Sequence, residues 1–311
     1  LRNESVGVDT NQYLFRYNYY IYPLDLTIFS YDEWGFHGFA AILSYFNIPD
    51  QMYLAIISLI IVVLFTRFYY KYSTDIFYSY FLHLTIGVFA LSLSGLSQII
   101  AVGIFLKGFD YIVYNKPIKY VLSILLAATI HNSAIFLLPL YLFRNLRLNK
   151  KSGFVLLFSV ISVLFFVNPI LNFSVRFLPT HYANYILKGG NNMNPLVIAV
   201  AISIPLFYLI FSRKTCEGND YSNKIYSLFF IMSIFNALFN ILSINLSIIS
   251  RISYYFLPFN MILIPITVKG IKDKGIKYLV LVIISILCLL QFIISTPGGI
   301  LQIDNYRFFW Q

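Results

Sequence analysis

Three groups of residues in this chain are of types that could do chemistry. His131 stands in His131-Asn132-Ser133, the one polar break in the apolar run from Val121 to Phe143. A neutral imidazole can take a proton from a hydroxyl nucleophile, which is what glycosyl or acyl transfer to an alcohol requires. Arg251 opens an apolar run in Arg251-Ile-Ser-Tyr-Tyr, where its planar fork could grip phosphate or carboxylate in a cavity between helices. The third group lies between Arg2 and Glu33 and holds Asp9, Tyr13, Arg16, Asp25, Asp32 and Glu33. Its carboxylates could serve as a base or orient an arginine, and its tyrosines offer flat faces on which sugar rings stack. His181, in Pro179-Thr-His-Tyr, is a weaker candidate on a loop, and His37 and His83 read as packing residues in or near apolar segments.

Each group also has a bland reading. A lone His at a turn is commonly bonded to backbone carbonyls, arginines at helix ends snorkel or form ion pairs, and acidic residues in a polar segment form surface pairs. Glu4, Asp25 and Asp32 fit that last description best. No zinc spacing, P-loop, dinucleotide fingerprint or nucleophile elbow occurs. Cys216, in a loop, and Cys288, in a span, give neither a disulfide framework nor metal-ligand spacing.

The elements that must position these groups are membrane helices. Hydrophobic residues make up 59% of the 311, charged residues 11%, and the mean hydropathy is +0.77, too apolar for a soluble domain of this size. The chain reads as all-α, a single polytopic transmembrane domain over residues 1–311 with about ten spans. Spans are expected at 52–66, 76–94, 96–114, 154–170, 195–211, 225–244, 252–268 and 278–295, with 118–143 between them treated separately. The sequence opens at Leu1 without Met, which reads as missing upstream residues that include a signal or a first span.

Charge sets the orientation. Of the 22 Lys and Arg residues, sixteen fall in five short loops: Arg67 and Lys71; Lys107, Lys116 and Lys119; Arg144, Arg147, Lys150 and Lys151; Arg213, Lys214 and Lys224; and Lys269, Lys272, Lys274 and Lys277. The positive-inside rule places them all in the cytoplasm, so the basic pI of 9.4 reports topology and gives no reason to expect nucleic acid. The remaining six, Arg2, Arg16, Arg176, Lys188, Arg251 and Arg307, then share the outer face with residues 1–35 and the 171–194 loop. This arginine-weighted face suits an anionic ligand presented from the membrane.

Loops 107–119 and 144–151 share the inner side only if residues 118–143 cross twice. A hairpin turning at His131 satisfies this. Its arms of about 12 to 15 residues span roughly 18 to 22 Å, less than the roughly 30 Å hydrocarbon core, so the turn is expected to be recessed from the outer face. Non-helical backbone at that depth must be buried or line a wet cavity, which predicts an outward-facing cavity with His131 in its floor or wall. The apolar run Phe36–Phe46 is too short to span and is expected to be re-entrant or interfacial.

The run Arg2-Asn-Glu-Ser-Val-Gly7-Val-Asp9-Thr-Asn-Gln-Tyr13 resembles the R-x4-G-x-D-x3-Y opening of the EpsG-like group of bacterial polysaccharide polymerases, relatives in function of the Wzy O-antigen polymerases. Glu33-Trp-Gly35-Phe36 resembles their E-P-G-F segment with Trp for Pro, Ser97-Gln98-Ile-Ile-Ala101 their R-Q-x-x-A helix start, and Leu126-Ala127-Ala-Thr-Ile-His131-Asn-Ser133-Ala134 their L-A-x-x-x-H-x-S-A hairpin. The likeness covers residues 2–143 and continues weakly through Arg251 and Tyr306-Arg307-Phe308-Phe309. Ser97 departs from the usual Arg, which puts a binding role at that position in doubt and leaves Gln98 to carry over.

The resemblance implies a GT-C-like, metal-independent, inverting glycosyltransferase of the bacterial inner membrane, working without a cofactor at the periplasmic face. It would transfer chains from undecaprenyl pyrophosphate to a lipid-linked acceptor repeat unit, with membrane lipid and a chain-length regulator as further partners. His131, or one of the carboxylates Asp9 and Glu33, would deprotonate the acceptor. Arg251, Arg2, Arg16 and Arg176 would hold the pyrophosphate, and Gln98, Tyr13 and His181 would position sugars. Two other readings stay open. A polytopic O-acyltransferase would need its His open to the cytoplasm, and a lipid-linked sugar flippase or transporter would be expected to show paired broken helices, of which one strong break is visible in the sequence.

Overall fold

The computed structural model describes residues 2–3, 5–19, 32–149, 151–162, 195–211, 220–244, 249–295, 306–308 and 310. They are all-α apart from one isolated bridge between Arg2 and Phe308. Among the described residues, five helices are long and apolar enough to cross a membrane, or six if a bent pair counts as one span, as in a multi-pass membrane protein. Three shorter apolar helices, Pro117–Ile130, Lys151–Ser162 and Pro195–Phe211, also occur among the described residues, and the span expected at 154–170 runs on from 162 into residues outside them. The whole 171–194 loop, with Arg176, His181 and Lys188, lies outside the described residues in the stretch 163–194, and Cys216 lies outside them in 212–219.

Two compact units can be told apart. The first comprises Leu1–Tyr72, Ile76–Tyr141 and Leu281–Gln311, and the second Ser73–Asp75 with Leu142–Val280. In the first unit, α1 (Thr10–Tyr19) and α2 (Trp34–Tyr45) precede α3 (Asp50–Tyr72), whose 23 residues rise about 34 Å. Next come α4 (Ile76–Thr85) and α5 (Val88–Ser94), expected as one span and instead bent by 58° at Ile86-Gly87. Gly87 has φ +97°, a conformation that costs a side chain dearly and glycine little, so this residue sets the break. α6 (Leu96–Val113) is mostly buried.

α7 (Pro117–Ile130) begins on a proline, whose fixed φ and missing N–H suit a helix start, and ends where His131 turns extended. A 3-10 segment, Asn132–Asn145, follows. Pro139 inside it cannot donate to an α-helical carbonyl, which removes one bond that would favour the wider helix. The segment doubles back along α7, since the Tyr120 hydroxyl donates to the Leu137 carbonyl at 2.6 Å and the Tyr120 and Tyr141 rings lie 5.6 Å apart.

One ion cluster fixes the basic end of this unit. Asp110 of α6 accepts from Arg67 (3.1 Å) and from the Tyr72 hydroxyl (2.6 Å), and pairs with Lys71 at 2.7 Å. The C-terminal turns of α3 and α6 are thus at the same end, in keeping with the shared side inferred from their lysines and arginines.

The second unit holds α8 (Lys151–Ser162), α9 (Pro195–Phe211), α10 (Asp220–Leu242), α11 (Ser250–Lys269) and the first turns of α12 (Lys274–Ser295). α10 and α11 are joined by polar side chains. The Asn236 amide donates to the Ser253 carbonyl (3.0 Å), the Asn260 amide to the Asn236 side chain (3.1 Å), and Phe239 stacks on Phe256 with centroids 5.5 Å apart. Such bonds hold apolar helices together where lipid and Leu are equally oily.

Candidate functional site

Four segments distant in sequence converge at the end of the first unit opposite the Asp110 cluster. His131 ends α7, Ser97 lies in the first turn of α6, Tyr13 is on α1, and Glu33 immediately precedes α2. The His131 imidazole places Nδ1 2.5 Å from Glu33 Oε1 and 3.3 Å from Ser97 Oγ. Ser97 Oγ is in turn 3.4 Å from the Tyr13 hydroxyl and also hydrogen-bonds Glu33. Tyr13 packs edge-on against Phe36, with ring centroids 5.4 Å apart.

Burial by itself would raise the Glu33 carboxyl, but the His131 imidazole, the Ser97 hydroxyl and the charge on His37 outweigh it and hold the group below its ordinary value. Glu33 is therefore a carboxylate at neutral pH. A carboxylate is acceptor-only, so the imidazole nitrogen beside it is the one that carries a proton, and in the neutral imidazole the lone pair is on Nε2. Tyr13 is pushed the other way, chiefly by burial, and stays a neutral phenol able to donate.

Local sequence explains how the groups are held. Glu33 sits in the left-handed region at φ 62°, a conformation that a non-glycine residue keeps only when its surroundings enforce it. Gly35 lies against α7 so closely that a Cβ there would overlap the Thr129 side chain and come within 3.0 Å of the Thr129 backbone carbon. α2 can dock beside His131 only through a residue without a side chain. Gly35→Ala is accordingly expected to lower stability by about 1–3 kcal/mol through overpacking, read as a thermal-denaturation shift in detergent. Thr129→Gly in the same chain should recover part of the loss, and an unshifted transition in the single variant would show that the contact is slack.

Arg2 reaches the neighbourhood from the other side. It is 5% exposed, and its Nη1 donates to the Val6 carbonyl at 2.6 Å and to the Leu93 carbonyl at the end of α5. Gly7, at φ +91°, makes this passage, because a Cβ would collide with the Leu93 carbonyl and lie 2.6 Å from Arg2 Nη1. The Thr10 hydroxyl donates to the Val6 carbonyl (2.7 Å), and the Asp9 carbonyl accepts the first turn of α1 through Tyr13 N (3.0 Å). The R-x4-G-x-D-x3-Y pattern is thus one device that ties the N-terminus to α5 and aims Tyr13 at Ser97. Burial lowers Arg2 to about 10, which leaves it a cation at neutral pH.

The other sequence candidates are placed as follows. Asp9 starts α1, near enough to Tyr13 for its charge to act on the phenol. Arg16, exposed on α1, lies close enough to His37 that its charge, after burial, lowers that imidazole. Gln98 is buried beside Ser97. Arg251 is exposed at the first turn of α11, in the second unit. Arg176 and His181 lie outside the described residues. Among the described residues no three His, Cys, Asp or Glu side chains group to hold a metal ion.

Sequence reasoning discounted Ser97, whose hydroxyl lies between Tyr13, Glu33 and His131. The available signal was the pair Ser97-Gln98 at the head of an otherwise apolar helix. A family model described as the EpsG family matches residues 1–308. No curated protein and no solved structure matches the chain.

Proposed function

The chain belongs to the EpsG family, which ties it to polysaccharide biosynthesis, and on that premise we propose that it is a glycosyltransferase joining lipid-linked oligosaccharide repeat units at the outer face of the cytoplasmic membrane. The observation that carries this reading is the Glu33–His131 pair, 2.5 Å apart, at the end of the helices away from the basic cluster. The acceptor hydroxyl gives its proton to His131 Nε2, and its oxygen attacks the anomeric carbon of the donor. The new C–O bond forms as the bond to the diphosphate breaks with inversion, and the bonding pair leaves with undecaprenyl pyrophosphate. Glu33 keeps the imidazole in the accepting tautomer and offsets the positive charge that it gains.

Charge on the departing diphosphate is assigned to arginines. Arg16, whose charge acts on His37, is the exposed candidate from the first unit, and Arg2 adds its field from behind the carbonyls that hold it. Arg251 and Arg176 complete the proposed set, with Gln98, Tyr13 and His181 on the sugars.

The test is polymer formation by purified protein in nanodiscs supplied with lipid-linked repeat units. The wild type should give a ladder, and Arg251→Ala should lower its rate at least tenfold. Near-normal ladders from both Arg251→Ala and His131→Ala would sink the assignment. The second helix break, at Gly87, gives the transport reading one observation of its own; movement of the lipid-linked substrate across the bilayer without a covalent product would put that reading in its place.

A further inference from the structure

The bend at Gly87 opens a space that the site described above does not use. A cavity of about 260 Å³ lies within the first unit, walled by Ile61 and Phe65 of α3, by Tyr80 and His83 of α4, and by Phe89 and Leu93 of α5. It straddles the break between α4 and α5, which is where irregular backbone at membrane depth is tolerated. The polar groups in its wall are already engaged. The Ser58 hydroxyl donates to the Leu54 carbonyl (2.8 Å), the Ser92 hydroxyl to the Phe89 carbonyl (2.5 Å), His83 Nδ1 lies 3.0 Å from the Tyr69 hydroxyl, and the hydroxyls of Tyr80 and Thr66 bond each other. What remains is an apolar chamber.

Its rim carries one charge. Arg2 and Tyr306 line it, and among the described residues no carboxylate pairs with Arg2. A buried cation bonded to carbonyl dipoles retains a strong pull on an anion. Two further lining residues, Val62 at 54% and Leu84 at 46% exposure, stand on the outside of apolar helices, where a bilayer would surround them. The chamber thus combines an opening toward hydrocarbon with a positive end. That end is also close to the Glu33–His131 pair, because Leu93, which Arg2 grips, leads directly through Gly95 to Ser97.

We propose that this cavity takes the diphosphate-proximal isoprenes of a polyprenyl diphosphate, with the diphosphate toward Arg2. The proposal rests on the glycosyl-transfer reading and names where the donor's lipid lies. The first isoprenes of a single methyl-branched chain fit a chamber of this volume beside a single guanidinium, whereas a diacyl phospholipid would bring two chains and a glycerol to the same place. The anomeric carbon attached to the diphosphate is then carried toward His131.

Binding of radiolabelled geranylgeranyl diphosphate to the full chain in nanodiscs tests this without any transfer reaction. Val62→Trp and Ser92→Phe fill the cavity from its open side and from α5, and leave Arg2 and its carbonyl partners in place. Both should weaken binding of the prenyl diphosphate at least tenfold and leave binding of inorganic pyrophosphate unchanged. Wild-type affinity in both filled variants, or equal displacement of the probe by dioleoyl phosphatidylglycerol, would overturn the proposal. If the filled variants lose the probe while the wild type forms no polymer, the polymerase reading fails and the lipid site stands. If they bind the probe normally and the wild type forms polymer, the reverse holds.

Discussion

His131→Ala is expected to reduce polymer formation from lipid-linked repeat units by about 10²–10⁴-fold, the usual contribution of a positioned general base. The physical reason is the orientation given by Glu33: with Nδ1–H donated to a carboxylate 2.5 Å away, Nε2 is the lone pair left for the acceptor hydroxyl. A substitution at a 7% exposed position also removes packing, so the rate is compared at matched folding, read by thermal denaturation and by elution in detergent. Added imidazole gives the second readout. It should restore part of the activity of His131→Ala if the loss is chemical. An inactive, fully folded variant that imidazole leaves unchanged would argue for a positioning role, and a variant of near-normal rate would remove His131 from the reaction.

Glu33→Gln is expected to cost a comparable factor, about 10²–10⁴-fold, for a different reason. An amide can donate to Nδ1, which favours the tautomer with its proton on Nε2, the wrong atom. Lipid-linked donor should still bind, so the loss should fall on the rate and leave the KM for donor within a few-fold. A rate unchanged by the substitution would exclude the tautomer argument. A rate lost in Glu33→Gln and kept in His131→Ala would make Glu33 itself the base.

The same pair makes a prediction about pH and stability. Glu33 is held below its ordinary value in the folded protein, so its stabilising contribution is complete above the unfolded carboxyl value of about 4.3 and is lost as pH falls through the lower folded value. Wild type and Glu33→Gln should therefore differ in melting temperature at neutral pH and converge in acid. A difference that persists unchanged below the folded value would place its origin in packing.

Much of this protein can be read from its sequence, for identifiable reasons. The spans at 52–66 and 96–114 were visible because a membrane demands a long apolar run wherever a helix crosses, and hydropathy is a local sum. In the first unit the Lys and Arg pattern put the C-terminal turns of α3 and α6 on one side, and the Asp110 cluster joins those same turns. His131 stood out because a polar residue within an apolar run is costly unless something engages it. Gly87 was invisible by comparison: one glycine in an apolar stretch does not announce whether its φ is positive, and the 76–94 run was read as a single span.

What the sequence by itself determined is therefore an all-α membrane chain with a basic end, a polar turn at His131 and a short set of acids and arginines that could serve it. Only the tertiary structure placed those of the first unit against one another. It put Glu33, with Ser97, against His131, set Asp9 at the start of α1, and committed Arg2 Nη1 to the carbonyls of Val6 and Leu93. These choices depend on where four separate segments come together, on Gly35 letting α2 touch α7 and on Gly7 letting Arg2 reach α5. Hydropathy and charge are properties of each segment alone, whereas a hydrogen bond is a property of two, and its partner is fixed only when the backbones have packed.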